Sequence, residues 1–71
     1  MPHGFVNVFV NGERRELKSP ATVADLCRQL ELPPRGVAVE LNLQIIPRLQ
    51  QAQQLLNEDD RLEIVSLVGG G

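Results

Sequence analysis

The sequence predicts an α+β domain in which one main helix packs on a mixed four- to five-stranded sheet. Three observations predict it. Segments near both ends of the chain are apolar and rich in strand formers, the first alternating with period two. One segment between them repeats its apolar residues at helical spacing. The chain has 71 residues, enough for one small domain. A single amphipathic helix can cover one face of one sheet, and wrapping the sheet around it is the compact solution.

Phe5 to Val10 is the first strand, with Val6, Val8 and Val10 on one face and Phe5, Asn7 and Phe9 on the other. Asn11-Gly12 follows and signals a tight hairpin, because both central turn positions need φ > 0. Arg14 to Lys18 is the return strand. Leu17 is its apolar member, and its polarity suits a sheet edge. Thr22 is placed to cap a helix, with Asp25 three residues on in the manner of a capping box. Val23, Leu26, Cys27 and Leu30 form one apolar stripe, and Pro33-Pro34 stops the helix.

Val37 to Asn42 alternates again, with Val37, Val39 and Leu41 opposed to Ala38, Glu40 and Asn42. Gln44-Ile45-Ile46 is a short apolar piece closed by Pro47. Arg48 to Leu56 reads as a helical turn or an irregular loop, and Asn57 to Asp60 as a solvated acidic turn. Leu62 to Val68 is the last strand, with Leu62 and Ile64 on one face and Val65 and Leu67 on the other. The first and last strands are the most apolar, which places them centrally and parallel. Residues 1–68 then form the domain, and 69–71 a flexible glycine tail.

Composition excludes several function classes. Net charge is −2 and the only aromatics are Phe5 and Phe9, so neither a basic patch nor a stacking platform for nucleic acid is present. No apolar run approaches the length of a membrane span, and no signal peptide is visible. With one cysteine, these features point to the cytoplasm. One His and one Cys make no metal set. Cys27 sits on the apolar stripe and reads as a small buried hydrophobe. No catalytic grouping or phosphate-binding glycine loop occurs, so the chain reads as a non-enzyme.

What remains is Gly69-Gly70-Gly71, directly after the last strand. Three glycines make a segment of minimal cross-section, reaching roughly 10 Å when extended. Such a segment can thread a narrow channel and present its carboxylate to a distant active site. If the helix covers the Val6, Val8 and Val10 face, the open face carries Phe5, Phe9, Val65 and Leu67. With Val68, these are candidate partner-binding residues. The Arg48 to Leu56 segment is the competing cover for part of that patch. Arg48 is a further candidate, for an acidic partner surface.

Several pieces together resemble a known family. They are Val10-Asn11-Gly12, Thr22-Val23-Ala24-Asp25-Leu26, Val39-Glu40-Leu41-Asn42, Ile46-Pro47-Arg48, and Asp60 to Val65 leading to the glycines. In this order they resemble the ubiquitin-like β-grasp sulfur carriers, the ThiS type of thiamine biosynthesis above all. Two positions depart from the family pattern. Asp59 stands where a turn glycine is common, and Gln51 stands where a tryptophan is common.

The resemblance implies a sulfur carrier whose Gly71 carboxylate is adenylated and becomes a thiocarboxylate, with Gly69 and Gly70 keeping the tail narrow. It implies three partners. They are a ThiF-type adenylating enzyme related to ubiquitin-activating enzymes, a ThiG-type thiazole synthase, and a cysteine desulfurase acting indirectly. ATP and magnesium would bind the adenylating enzyme, and no cofactor would bind this chain. The free carrier is expected to be a monomer. Three neighbours stay open: the small subunit of molybdopterin synthase, a tRNA-thiolation carrier, and a ubiquitin-like binding module without thiocarboxylate chemistry.

Overall fold

Alternation in the first strand sorts its residues as the pattern requires. Val6, Val8 and Val10 are buried, while Phe5 is exposed and Asn7 and Phe9 are half-buried. The computed structural model describes residues 4–33 and 35–67. His3, Pro34 and the stretch 68–71 lie outside the described residues. The strands are β1 (Phe5–Val10), β2 (Glu13–Lys18), β3 (Val37–Leu41), β4 (Gln44–Ile45) and β5 (Asp60–Ser66). The helix is α1 (Val23–Gln29), and a 3₁₀ turn spans Arg48–Gln50.

The five strands form one mixed sheet in the order β2-β1-β5-β3-β4. As expected, β1 and β5 are adjacent and parallel, and β5 is central. The other pairs are antiparallel. The polar β2 is an edge strand, and Leu17 alone in it is buried. Register puts Val39 opposite Ile64 and Leu41 opposite Leu62, so these side chains share the core face.

The capping box forms in full. The Asp25 N–H donates to the Thr22 hydroxyl, and the Thr22 N–H donates to the Asp25 carboxylate. Those bonds hold the Asp25 carboxyl below its usual range, the backbone N–H of Thr22 contributing most. Val23 and Leu26 are fully buried among the sheet's valines and leucines, and Cys27 and Leu30 are partly so.

The helix ends sooner than the prolines suggest. Leu32 N–H donates to Cys27 O and Glu31 N–H to Arg28 O, the paired bonds of a Schellman stop. Glu31 takes φ 57 to make it, at a position where glycine is usual. A second turn was equally hidden. Asn42 and Leu43, at φ 50 and 73, join β3 to β4 by a two-residue hairpin. Leucine is a poor residue for that conformation, so the sequence gives no hairpin signal there.

The acidic turn is more than a solvated one. Asp60 is buried and accepts the Asn57 N–H at 2.6 Å and the Asn42 side-chain amide at 3.0 Å. Glu58 accepts the Asn7 backbone N–H at 2.9 Å and its side-chain amide at 3.0 Å. Its carboxyl is held below the usual range, chiefly by the Asn7 backbone donor. This carboxylate ties β1 to the segment ahead of β5, before the strand ladder begins at Val8 and Asp60.

Asp59 does adopt the conformation its glycine-like position requires, with φ 69. An L-residue in this region costs about 1–2 kcal/mol, and glycine forfeits about 0.4–1 kcal/mol of that through unfolded-state entropy. Asp59→Gly should therefore raise stability by about 0.5–1 kcal/mol, read as a higher urea midpoint at unchanged slope.

Candidate functional site

The strand that precedes the three glycines in sequence is paired on both sides. β1 holds β5 on one side through Val10 and Leu62, and β3 holds it on the other through Val37 and Ser66. Leu67 N–H then donates to Gly36 O at 2.6 Å, carrying the support one residue further.

On the β1 side the ladder stops, because the chain turns away at Asn11. The Asn11 side chain replaces it. Its amide donates to Ile64 O at 3.2 Å, and its oxygen accepts the Ile64 N–H at 2.8 Å. Asn11 therefore serves as a turn residue, at φ 51, and as a substitute strand. Asn11→Gly keeps the turn conformation and removes both bonds. The expected loss is about 1–2 kcal/mol by urea unfolding, with faster amide exchange at Ile64.

The candidate partner residues are not one patch. Parallel register places Phe9 beside Arg61, so Phe5 lies level with position 57. That is eight residues back from Val65, or about 26 Å along the strand. Phe5 and Val65 are each about half exposed, at 54% and 50%, at opposite ends of the open face. Between them the Arg61 guanidinium sits 4.8 Å from the Phe9 ring centre, a cation–π contact that covers Phe9.

Val65 and Leu67 remain together at the base of the tail. Ala38 is paired beside Val65, and Ile45 stands exposed on the sheet edge beyond Glu40. Ala38 and Ile45 were not singled out from the sequence. Their signal was the alternation of the third strand and its turn, once the hairpin at Asn42-Leu43 is known. Val68, Gly69, Gly70 and Gly71 lie outside the described residues.

The Arg48 to Leu56 segment does not cover the open face. It runs along the helix side, where Val23 N–H donates to Gln54 O, Ala24 N–H to Gln51 O, and Leu56 N–H to Ala21 O. Arg48 is thereby separated from Val65 and Leu67. It shares a groove with Ala24 and Arg28 instead. Gln51 is used internally: its amide donates to Ile46 O at 3.2 Å, and its oxygen receives the Cys27 thiol at 3.9 Å. Burial pushes the Cys27 thiol up, which suits a packing residue rather than a nucleophile.

Among the described residues, no three His, Cys, Asp or Glu side chains cluster to hold a metal ion. None of the described helices is long and apolar enough to cross a membrane.

Comparison with known proteins places this architecture. The ThiS family model matches residues 8–71, nearly the whole chain. The chain belongs to the ThiS family. A ThiS crystal structure from Geobacter metallireducens superimposes with a TM-score of 0.76 at 26% identity, covering 93% of this chain and all of that one. The fold is therefore the ubiquitin-like β-grasp.

The sulfur carrier protein ThiS of Escherichia coli K12 is 29% identical over 66 residues, 93% of this chain and all of that protein. A thiazole synthase of Paramagnetospirillum magneticum is 42% identical over 66 residues, again 93% of this chain. There the chain spans only 20% of its relative's length, so a ThiS-like segment forms part of a longer protein.

Proposed function

We propose that this ThiS-family chain carries sulfur for thiamine biosynthesis, in the cytoplasm, on the carboxylate of Gly71. The observation that carries the reading is that the family match runs through the tail to residue 71. Its support is the anchored base that the fold builds for that tail. In this scheme a ThiF-type enzyme, using ATP and magnesium, converts the carboxylate to an acyl-adenylate and releases pyrophosphate. A persulfide, formed from cysteine by a desulfurase, adds through its outer sulfur to the acyl carbon and AMP leaves; a second thiol then cleaves the acyl disulfide and departs in a disulfide. The product is a thiocarboxylate, which gives its sulfur to thiazole synthase and returns as a carboxylate.

This chain supplies no catalytic side chain to those steps. Gly69 and Gly70 keep the tail thin. Gly36, Asn11 and the flanking strands fix where it starts. Val65 and Leu67 offer an apolar surface beside it, which loses unfavourable water contact when a partner covers it. Thiazole synthase is the favoured acceptor because a ThiS-like segment occurs within the Paramagnetospirillum magneticum thiazole synthase.

The acceptor test uses the loaded chain. Mixed with a thiazole synthase and its substrates, it should lose its sulfur. Mixed with the large subunit of molybdopterin synthase or a tRNA-thiolating enzyme, it should keep it. Sulfur loss only to one of the latter two would move the chain to another pathway.

A further inference from the structure

The outer edge of β3 is only half covered. β4 pairs with Glu40 and Leu41 alone. Ile46 N–H still donates to Val39 O at 2.9 Å, and Pro47 then leads the chain away. Among the described residues, therefore, no strand pairs with Val37 on this side, and by the alternation of the ladder the Val37 N–H and C=O point to the open edge while those of Ala38 point to β5.

A groove of about 480 Å³ opens at this point, between the β3 edge and α1. Leu32, Val37, Ile45 and Ile46 supply its apolar lining. Its charges are all of one sign. Arg28 and Arg48 line it and no Asp or Glu does, although the chain's net charge is −2. Arg28 shares its charge with Asp25 one turn back on the helix. Among the described residues Arg48 has no ion pair.

We propose that this groove is a docking site for an extended, acidic segment of a partner protein. The segment would bond to the main chain of Val37, place an apolar side chain between Leu32 and Ile46, and meet Arg48 with a carboxylate. Each part follows from a separate feature. An uncovered strand edge accepts an added strand through main-chain hydrogen bonds. A cavity of this volume takes bulky apolar side chains. The one-signed lining selects acidic sequences and rejects basic ones.

The site adjoins the Val65 and Leu67 surface and shares Ala38 and Ile45 with it, and only one strand separates it from Leu67, since Gly36 and β3 also hold Leu67 and β5. A partner held there would grip the carrier about 10 Å from β5, two strand spacings away. The inference stands independently of the sulfur chemistry.

The test is amide chemical-shift mapping on the full-length ¹⁵N-labelled chain. The probe is a blocked hexapeptide, Glu-Val-Phe-Val-Glu-Glu, compared with the same peptide carrying Lys for every Glu. The acidic peptide should shift Val37, Ala38 and Gln51 in a saturable way, and the basic one should not. Arg48→Glu alters an exposed residue and should leave the unbound spectrum's dispersion intact. It should weaken the acidic peptide roughly tenfold.

Any one of several results would overturn the proposal. They are no shift with the acidic peptide, equal shifts with the basic one, shifts confined to Phe5 and Val65, or the same pattern produced by sulfate alone. Concentration-dependent shifts at Val37 without peptide would assign the edge to a second copy and overturn it too.

Discussion

Deleting Gly71 should leave the chain folded and unable to accept sulfur. The fold is expected to survive because every buried hydrophobic residue among the described ones lies between Val6 and Leu62. Removing the last residue takes nothing from that core, so the urea midpoint should not move. The chemistry is expected to fail because the new terminal carboxylate, on Gly70, sits one residue short. One extended residue is about 3.5 Å. Reacting atoms must approach to about 3–3.5 Å in line, so a displacement of that size removes the carboxylate from reach.

Adding one alanine after Gly71 shifts the carboxylate by the same amount the other way and adds a Cβ next to it. It should fail equally. A normal thiocarboxylate yield from either variant would show that the position of the terminal carboxylate does not govern loading.

Leu26→Ala should cost about 2–5 kcal/mol, the range for a leucine truncated in a closed core. Leu26 is fully buried on α1, the helix that covers this face of the sheet, among Val6, Val8, Val39 and Leu62 of the core. At about 0.05–0.15 kcal/mol per residue, a domain of this size holds only about 4–10 kcal/mol in total. The variant should therefore be partly or wholly unfolded at physiological temperature, with a large drop in urea midpoint.

Leu49→Ala is the control. Leu49 is 91% exposed, and its truncation should change stability by no more than about 0.5 kcal/mol. Equal effects at the two positions would contradict the packing described here.

Much of this fold is legible in the sequence because local chemistry and tertiary position agree. Val6, Val8 and Val10 alternate, and all three are buried. Thr22 and Asp25 have capping-box spacing and form the box. Asn11-Gly12 has hairpin residues and makes the hairpin.

The misses fall where a residue adopts a conformation its type disfavours. Glu31 and Leu43 have φ 57 and 73, and each marks a turn that glycine would have announced, whereas the turn at Asp59, φ 69, was legible from its acidic residues. Glu58 and Asn7 were hidden for another reason. They are 51 residues apart, and no local pattern reports a carboxylate that bridges strands at that separation.

The site was legible in part. Strand alternation put Val65 and Leu67 on the open face correctly. It could not show that Phe5 stands at the far end of that face, because the offset between β1 and β5 is a property of tertiary register. Arg48 was named as a partner residue without its neighbours. Those depend on how the segment after Pro47 folds back over α1.

The central claim is that Gly71 is the atom-bearing site of sulfur carriage. Intact-mass spectrometry tests it most directly. The chain is incubated with a ThiF-type adenylating enzyme, ATP, magnesium, cysteine and a desulfurase, and its terminal peptide is then fragmented. The predicted result is a mass gain equal to one oxygen replaced by sulfur, located on Gly71 and dependent on ATP. An unchanged mass, under conditions that load the Escherichia coli ThiS, would contradict it.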